Sequence, residues 1–347
     1  MPDFDELFRL YSPHMEDFWS RRASAPKYQQ TIHVFGQPVV FDSNHKSVLE
    51  AASLAEAMYS TAGKLNLPAW HVHLTVHGPA PGHPPPPERL VDLLQYAGTD
   101  EWVWIGLADW GNCWVDMRRA EAYAVLAHTL AEQPAQVCQL LLNTILNNLI
   151  SRHGHSMLHA SALLHDGRLL LLQAPHGAGK TTTASRLILN GYRLVSDSQV
   201  YICERDGDLW LGGFPVGRLR LRADVLPLFP LLAAEAEPEP VRDETKYRVG
   251  LERLRPGLSH PDMIQVRRVE YCLLERWDRS ASTVEPLTEG ELWPAIMVNS
   301  LHYDTPALWR ENLGRIGLLL QRANLHRLRI GSSEAGIVEA VDGLWTR

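Results

Sequence analysis

Residues 174–181 read Ala-Pro-His-Gly-Ala-Gly-Lys-Thr, a spacing of glycines, lysine and hydroxyl that suits the holding of phosphate. Gly177 and Gly179 can take backbone angles that turn successive N–H groups inward into a cradle for phosphate oxygens. A helix starting near Lys180 would add the positive end of its dipole. Lys180 would reach the β- and γ-phosphates of a nucleotide, and the Thr181 hydroxyl would ligate Mg²⁺. The pattern is a Walker A loop with Ala174 in place of the first glycine, a position that asks chiefly for a small side chain. On this basis Ala174, His176, Gly177, Ala178, Gly179, Lys180, Thr181 and Thr182 line the phosphates. His176 could touch phosphate or acceptor, or point to solvent. The expected ligands are ATP and Mg²⁺, with GTP left open because base recognition lies outside the loop.

The elements needed to position such a loop are legible around it. Leu158–Leu164 is β-like, Asp166–Gly167 is a hairpin-turn dipeptide, and Arg168–Gln173 is a continuous apolar strand running into the loop. Thr181–Asn190 is predicted helical, with Gly191 where a left-handed cap belongs, and Tyr192–Ser196 returns as a strand. Asp197 follows about 17 residues after Lys180, at a strand end where metal-binding acids of nucleotide sites sit. Asp197 is therefore a candidate catalytic residue and, with Thr181, a candidate metal ligand. A helix cap or turn acid is the plainer alternative.

The stretch 158–200, LHASALLHDGRLLLLQAPHGAGKTTTASRLILNGYRLVSDSQV, resembles the core of the HPr kinase/phosphorylase family and its bacterial relatives, including kinases that phosphorylate serine on small peptides. The resemblance covers about 45 residues and extends elsewhere only in outline. It implies a fold related to the nucleotide-binding half of ATP-type phosphoenolpyruvate carboxykinases. It also implies phosphorylation of a hydroxyl, foremost a serine on a peptide or small protein, then free small hydroxyl compounds. By the same resemblance His159 faces the transferred phosphate, and Asp197 matches the first of two aspartates, the one that activates the accepting hydroxyl. The second position is Ser198 here, so Asp197 would serve as base, as metal ligand, or as both. The family's later arginine-glycine signature is not intact, which leaves reverse phosphorylase activity open. A nucleotide-binding regulator with little transfer activity is the alternative that Ser198 makes plausible. His159 has its own plainer alternative, a satisfied core histidine.

Weaker constellations lie downstream. Thr245-Lys246-Tyr247-Arg248 places Lys246 and Arg248 as candidates to cap the γ-phosphate, against a solvated basic patch. Arg218, Arg220 and Arg222 alternate along one side of a predicted strand and suggest an anionic ligand or a solvated face. The EAEPEP run, 235–240, reads as a solvated loop suited to a mobile lid. His71, His73 and His77 lack a nearby acid or cysteine to complete a metal set. Trp102, Trp104, Trp110 and Trp114 read as core first and as a peptide platform second.

Length and composition fit these elements into two domains. The chain has 347 residues, 45% of them hydrophobic, and a net charge of −7, which argues against a nucleic-acid partner because that needs a basic surface. No apolar run approaches the roughly 20 residues that cross a bilayer, so no membrane association is expected. Four scattered cysteines suit a reducing compartment, and a cytoplasmic location is expected. The predicted fold class is α/β: an N-terminal α/β domain, 1–152, for substrate binding or regulation, then a P-loop kinase domain with a mixed sheet, 153–347. Helices are predicted over Phe4–Arg21, Ser47–Thr61, Arg119–Glu132 and Ala135–Ser151, and strands over Thr31–Asp42, Trp70–His77, Trp102–Leu107 and Asn112–Asp116. Homo-oligomerisation is left open.

Overall fold

The computed structural model describes residues 27–78, 82–99, 101–175, 177–241, 244–299 and 306–345; the predicted Phe4–Arg21 helices lie outside them. The chain is a mixed α/β protein that divides into two compact units. Of the described residues, the first holds those within 27–33, 37–56 and 64–149. The second holds residues 150–347 together with 34–36 and 57–63. Residues 34–36 and 57–63 of the second unit alternate along the chain with residues 37–56 of the first.

The first unit is built on seven strands: β1 (Tyr28–Val34), β2 (Gln37–Ser43), β3 (Trp70–Val76), β4 (Gln95–Gly98), β5 (Trp102–Gly106), β6 (Gly111–Asp116) and β7 (Glu121–Leu126). Their order is β1-β2-β3-β7-β6-β5-β4, with β2, β3 and β7 parallel. Helix α1 (Ser47–Glu56) covers β2 and packs on the helical run that ends in α2 (Asn143–Arg152). β7 corrects the helix predicted over Arg119–Glu132. Its alanines favour a helix, but Ala122, Ala124 and Leu126 are buried while Glu121, Tyr123 and Val125 are not fully so. That period of two fits a strand wedged between β3 and β6, and packing overrides the local propensity.

The second unit is layered about a six-stranded mixed sheet. Its elements begin with β8 (His155–Leu158), β9 (Ser161–His165), β10 (Arg168–Gln173), helix α3 (Lys180–Leu189) and β11 (Arg193–Ser196). They continue with β12 (Gln199–Arg205), β13 (Asp208–Phe214), β14 (Arg218–Arg222), β15 (Ala236–Val241), β16 (Glu244–Gly250), β17 (Ile264–Gln265) and β18 (Val269–Arg276). The last are β19 (Thr283–Pro286), α4 (Glu289–Asn299), α5 (Pro306–Leu320), β20 (Ala323–Ile330) and α6 (Glu334–Asp342). The central sheet runs β11-β9-β10-β18-β20-β19, with β10, β18 and β20 parallel. Alternation along β10 sends Leu170 and Leu172 to one face and Leu169 and Leu171 to the other. The first face packs on α3, on α6 and on the three-stranded sheet β14-β16-β15. The second packs on α4, α5 and the four-stranded sheet β17-β13-β12-β8. Each of these leucines is at most 2% exposed, and burial of a leucine side chain stabilises by about 1.5–3 kcal/mol. The strand that runs into the glycine-rich loop is thus anchored from both sides.

Two predicted segments differ here. The single β-like run Leu158–Leu164 is two strands in different sheets, with His159 and Ala160 at the crossing between β8 and β9. The EAEPEP run is no lid: residues 236–241 form β15, paired with β16 along its length. Glu237 and Glu239 are held there by arginines, as described below, and that pairing overcomes the poor strand propensity of Glu and Pro. As an edge strand, β15 also tolerates its prolines, which have no N–H to give. No described helix is long and apolar enough to cross a membrane.

β11, whose end precedes Asp197, lies against a glycine. A Cβ on Gly213 would meet the Val195 carbonyl oxygen and come within 2.8 Å of Ser196 Cβ. Gly213 is also fixed by Ser60, whose Oγ accepts from its N–H at 2.8 Å and whose own N–H donates to its carbonyl at 3.1 Å. Gly213→Ala should therefore displace β11 or β13 and destabilise the fold by about 1–3 kcal/mol. Chemical denaturation measures this; an unchanged midpoint would show that β11 has room to move.

Candidate active site

The loop after β10 takes the backbone form that its glycines allow. Gly177 and Gly179 have φ of 76° and 102°, left-handed values that residues with a Cβ rarely adopt. The Ala178 N–H donates to Pro175 O at 3.1 Å, and α3 starts with the Thr183 N–H donating to Gly179 O at 2.8 Å. The free N–H groups of the first helical turn therefore point into the space above the loop. Asp166 and Gly167, with φ of 47° and 75°, close the β9–β10 hairpin as the dipeptide predicts.

Five polar side chains converge beside this turn, from the start of α3, from β9 and the crossing before it, and from the end of β11. Lys180 Nζ is 2.8 Å from His159 Nε2. An ammonium can only donate, so Nε2 accepts and the ring proton sits on Nδ1. Thr181 Oγ1 donates to Asp197 Oδ2 at 2.9 Å. Ser161 Oγ lies 2.9 Å from both Asp197 Oδ1 and the Asp197 carbonyl oxygen. Asp197 is only 6% exposed. Burial raises its pKa to about 6, against the opposing pull of Lys180, of the Ser161 and Thr181 hydroxyls and of Arg220. Burial likewise lowers Lys180 to about 8, with Asp197 pulling the other way. Both groups are thus brought towards neutrality, as in sites that move protons or bind charge.

The site opens into a cleft of about 240 Å³. Ala174, Gly177, Gly179, Lys180, Thr181 and Thr182 line it, with His159, Asp197 and Ser198. Arg218, Arg220, Arg222 and Lys246 approach from the three-stranded sheet. Ala178 instead packs towards the core. Arg248 is not among the residues lining the cleft; its guanidinium donates to Glu237 at 2.6 Å. His176 lies outside the described residues. One lining cation, Arg276, carried no signal in the sequence. It closes β18, which pairs in parallel with β10 and matches Leu273 to Gln173, so its position is set by a long-range pairing. Ser161 was missed as well; its signal is the return of the hairpin to the strand beside Asp197.

The donor set can be tested against a divalent ion. A threonine hydroxyl and a buried carboxylate, 2.9 Å apart, are hard oxygen donors of the kind Mg²⁺ takes when substrate phosphates and water complete its shell. Among the described residues no group of three or more His, Cys, Asp and Glu could hold a metal by itself. His73 is paired with Asp42 at 2.7 Å and stacks on Tyr123.

No protein-family model matches the chain, and no curated protein does. Among solved structures, the HPr(Ser) kinase/phosphatase from Coxiella burnetii is similar over 55% of this chain and 97% of its own, at 13% identity and a TM-score of 0.32. At that score no residue role passes from that protein to this chain.

Proposed function

We propose that the chain is an ATP·Mg-dependent phosphotransferase that moves the γ-phosphoryl group to a hydroxyl, foremost a serine of a peptide or small protein. The observation that carries this reading is the Thr181–Asp197 hydrogen bond beside Lys180, at the first turn of the helix that follows a phosphate loop. The Gly177–Gly179 backbone and the start of α3 hold the β- and γ-phosphates. Lys180 leaves His159 for a phosphate oxygen and neutralises charge that grows during transfer. Asp197, mostly ionised at neutral pH with a pKa of about 6, accepts the hydroxyl proton as the acceptor oxygen bonds to the γ-phosphorus. The bond from that phosphorus to the bridging oxygen breaks, and ADP departs with its electron pair. Mg²⁺, held by Thr181 and Asp197, would supply the remaining charge neutralisation.

Incubation with γ-labelled ATP, Mg²⁺ and a pool of serine peptides and small hydroxyl compounds tests this by mass spectrometry. A phosphate gain that vanishes in Lys180→Ala is the expected result; tight ATP binding with no transfer to any member would favour the regulator. That second reading draws on Ser198, which lines the cleft where a second acid would stand by resemblance. Ser198→Asp should raise turnover about tenfold, equivalent to ~1.4 kcal/mol of barrier. No gain in a steady-state assay would count against a transferase limited by that position.

A further inference from the structure

The three-stranded sheet carries charge that the phosphate loop does not use. Residues directly opposed in antiparallel strands share a face. Arg222 is opposed to Lys246 and Arg220 to Arg248. Across the other edge of β16, Glu239 is opposed to Lys246 and Glu237 to Arg248. Like charges in direct opposition repel, and one of the two rows is relieved: Glu237 takes Arg248 at 2.6 Å and Arg253 at 2.8 Å. The other row is not relieved in that way. Glu239, the register partner of Lys246, turns to Arg220, which grips both its carboxylate oxygens at 2.8 and 3.0 Å.

Arg222 and Lys246 are left with carboxylates two residues along the chain, Asp224 at 3.2 Å and Glu244 at 3.0 Å. Asp224 and Glu244 are 68% and 43% exposed, and exposed pairs of this kind are weak and readily exchanged. Both cations line the cleft that holds Lys180 and Asp197. The nucleotide's β- and γ-phosphates already have Lys180, the glycine backbone and the start of α3. Arg220, two residues from Arg222 on the same face, is felt by Asp197, which sets this face on the side of the proposed base.

We infer that Arg222 and Lys246 form an anion subsite for the phosphoryl acceptor, so that the hydroxyl phosphorylated belongs to a molecule with its own carboxylate or phosphate. This deepens the phosphotransferase reading and rests on it. The anion can come from acidic side chains flanking a serine or from a small phosphate ester, and matched probes separate the two.

The test is calorimetric titration of the full chain, saturated with a β,γ-imido analogue of ATP and Mg²⁺. One probe pair is a Glu-Ser-Glu peptide and its Gln-Ser-Gln counterpart; the other is glycerol 3-phosphate and glycerol. The anionic member of one pair should bind about tenfold more tightly than its neutral partner, less so as salt is raised. Whichever pair shows this names the source of the anion. Arg222→Gln with Lys246→Gln should erase the preference, while Arg222→Gln alone should leave the analogue's Kd within about twofold. Equal binding of charged and neutral members in both pairs would overturn the subsite. So would a preference that survives the double variant, or an Arg222→Gln protein whose affinity for the analogue falls as far as its affinity for the probe. Failure of the phosphotransferase reading looks different: the preference is present, but neither anionic probe gains phosphate when ATP replaces the analogue.

Discussion

Lys180→Ala should lower phosphoryl transfer by about two to three orders of magnitude, the usual cost of removing one preorganised donor from a developing anion. Nucleotide affinity should fall as well, by roughly 10- to 100-fold, because a charge-assisted bond of about 1.5–3 kcal/mol is lost. The side chain is placed for both effects, since its ammonium lies in the cleft between His159 and the loop. Burial already works against its charge, and a bound phosphate relieves that cost. Calorimetry with ATP·Mg and the labelled-ATP assay measure the two losses separately, and a melting curve shows that the variant folds. Unchanged affinity and activity would remove the phosphate-loop assignment.

Asp197→Asn should cut transfer by about two to four orders of magnitude if the carboxylate takes the acceptor proton, while ATP binding stays within several-fold. Loss of Mg²⁺-dependent binding instead would make Asp197 a metal ligand first. Wild-type turnover should fall at low pH as the buried carboxyl takes up a proton, at a pH below about 6 because bound Mg²⁺ opposes that protonation, and no such fall is expected in the variant. Stability supplies a second readout, in Mg²⁺-free buffer. The folded pKa lies above the ordinary value of 3.8, so the folded chain binds the proton more tightly than the unfolded one. Ionisation therefore costs stability, increasingly as pH rises from about 4 to about 6, and fully above that window. The two-unit shift corresponds to on the order of 3 kcal/mol, part of which the amide loses through weaker pairing with Ser161 and Thr181. Asp197→Asn should accordingly be the more stable protein at pH 8, with about half of the ionisation cost gone at pH 5 and most of it gone at pH 4. A constant difference in denaturation midpoint across these pH values would refute the burial account.

The backbone form of the glycine-rich loop and its hairpin was legible because its requirements are local. Gly177, Gly179, Asp166 and Gly167 need particular backbone angles, and few other residue types supply them. The approach of Asp197 to Thr181 followed from a strand–helix–strand run with almost no intervening chain. What the sequence hid depends on partners far along it. β7 contains good helix formers and is a strand because β3 and β6 flank it. β15 looks like solvent-facing loop until Arg220, Arg248 and Arg253 are brought opposite its glutamates. Arg276 enters the cleft only through the pairing of β18 with β10, a relation between segments about a hundred residues apart.

Phe35, Tyr59 and Ser60 belong by chain position to the N-terminal third and by packing to the unit that carries the phosphate loop. Phe35 stacks on His155 and meets Tyr59 and Tyr201, Tyr59 stacks on Phe214, and Ser60 clasps Gly213. The unit that carries the glycine-rich loop is consequently not a segment that recombination could graft elsewhere by one crossover near residue 152. Such a graft would leave behind two aromatic plugs and the clasp on the strand that braces β11. Inheritance of this site should require residues 34–36 and 57–63 along with the chain from 150 onward, and a gene fusion that respects it must keep all three pieces.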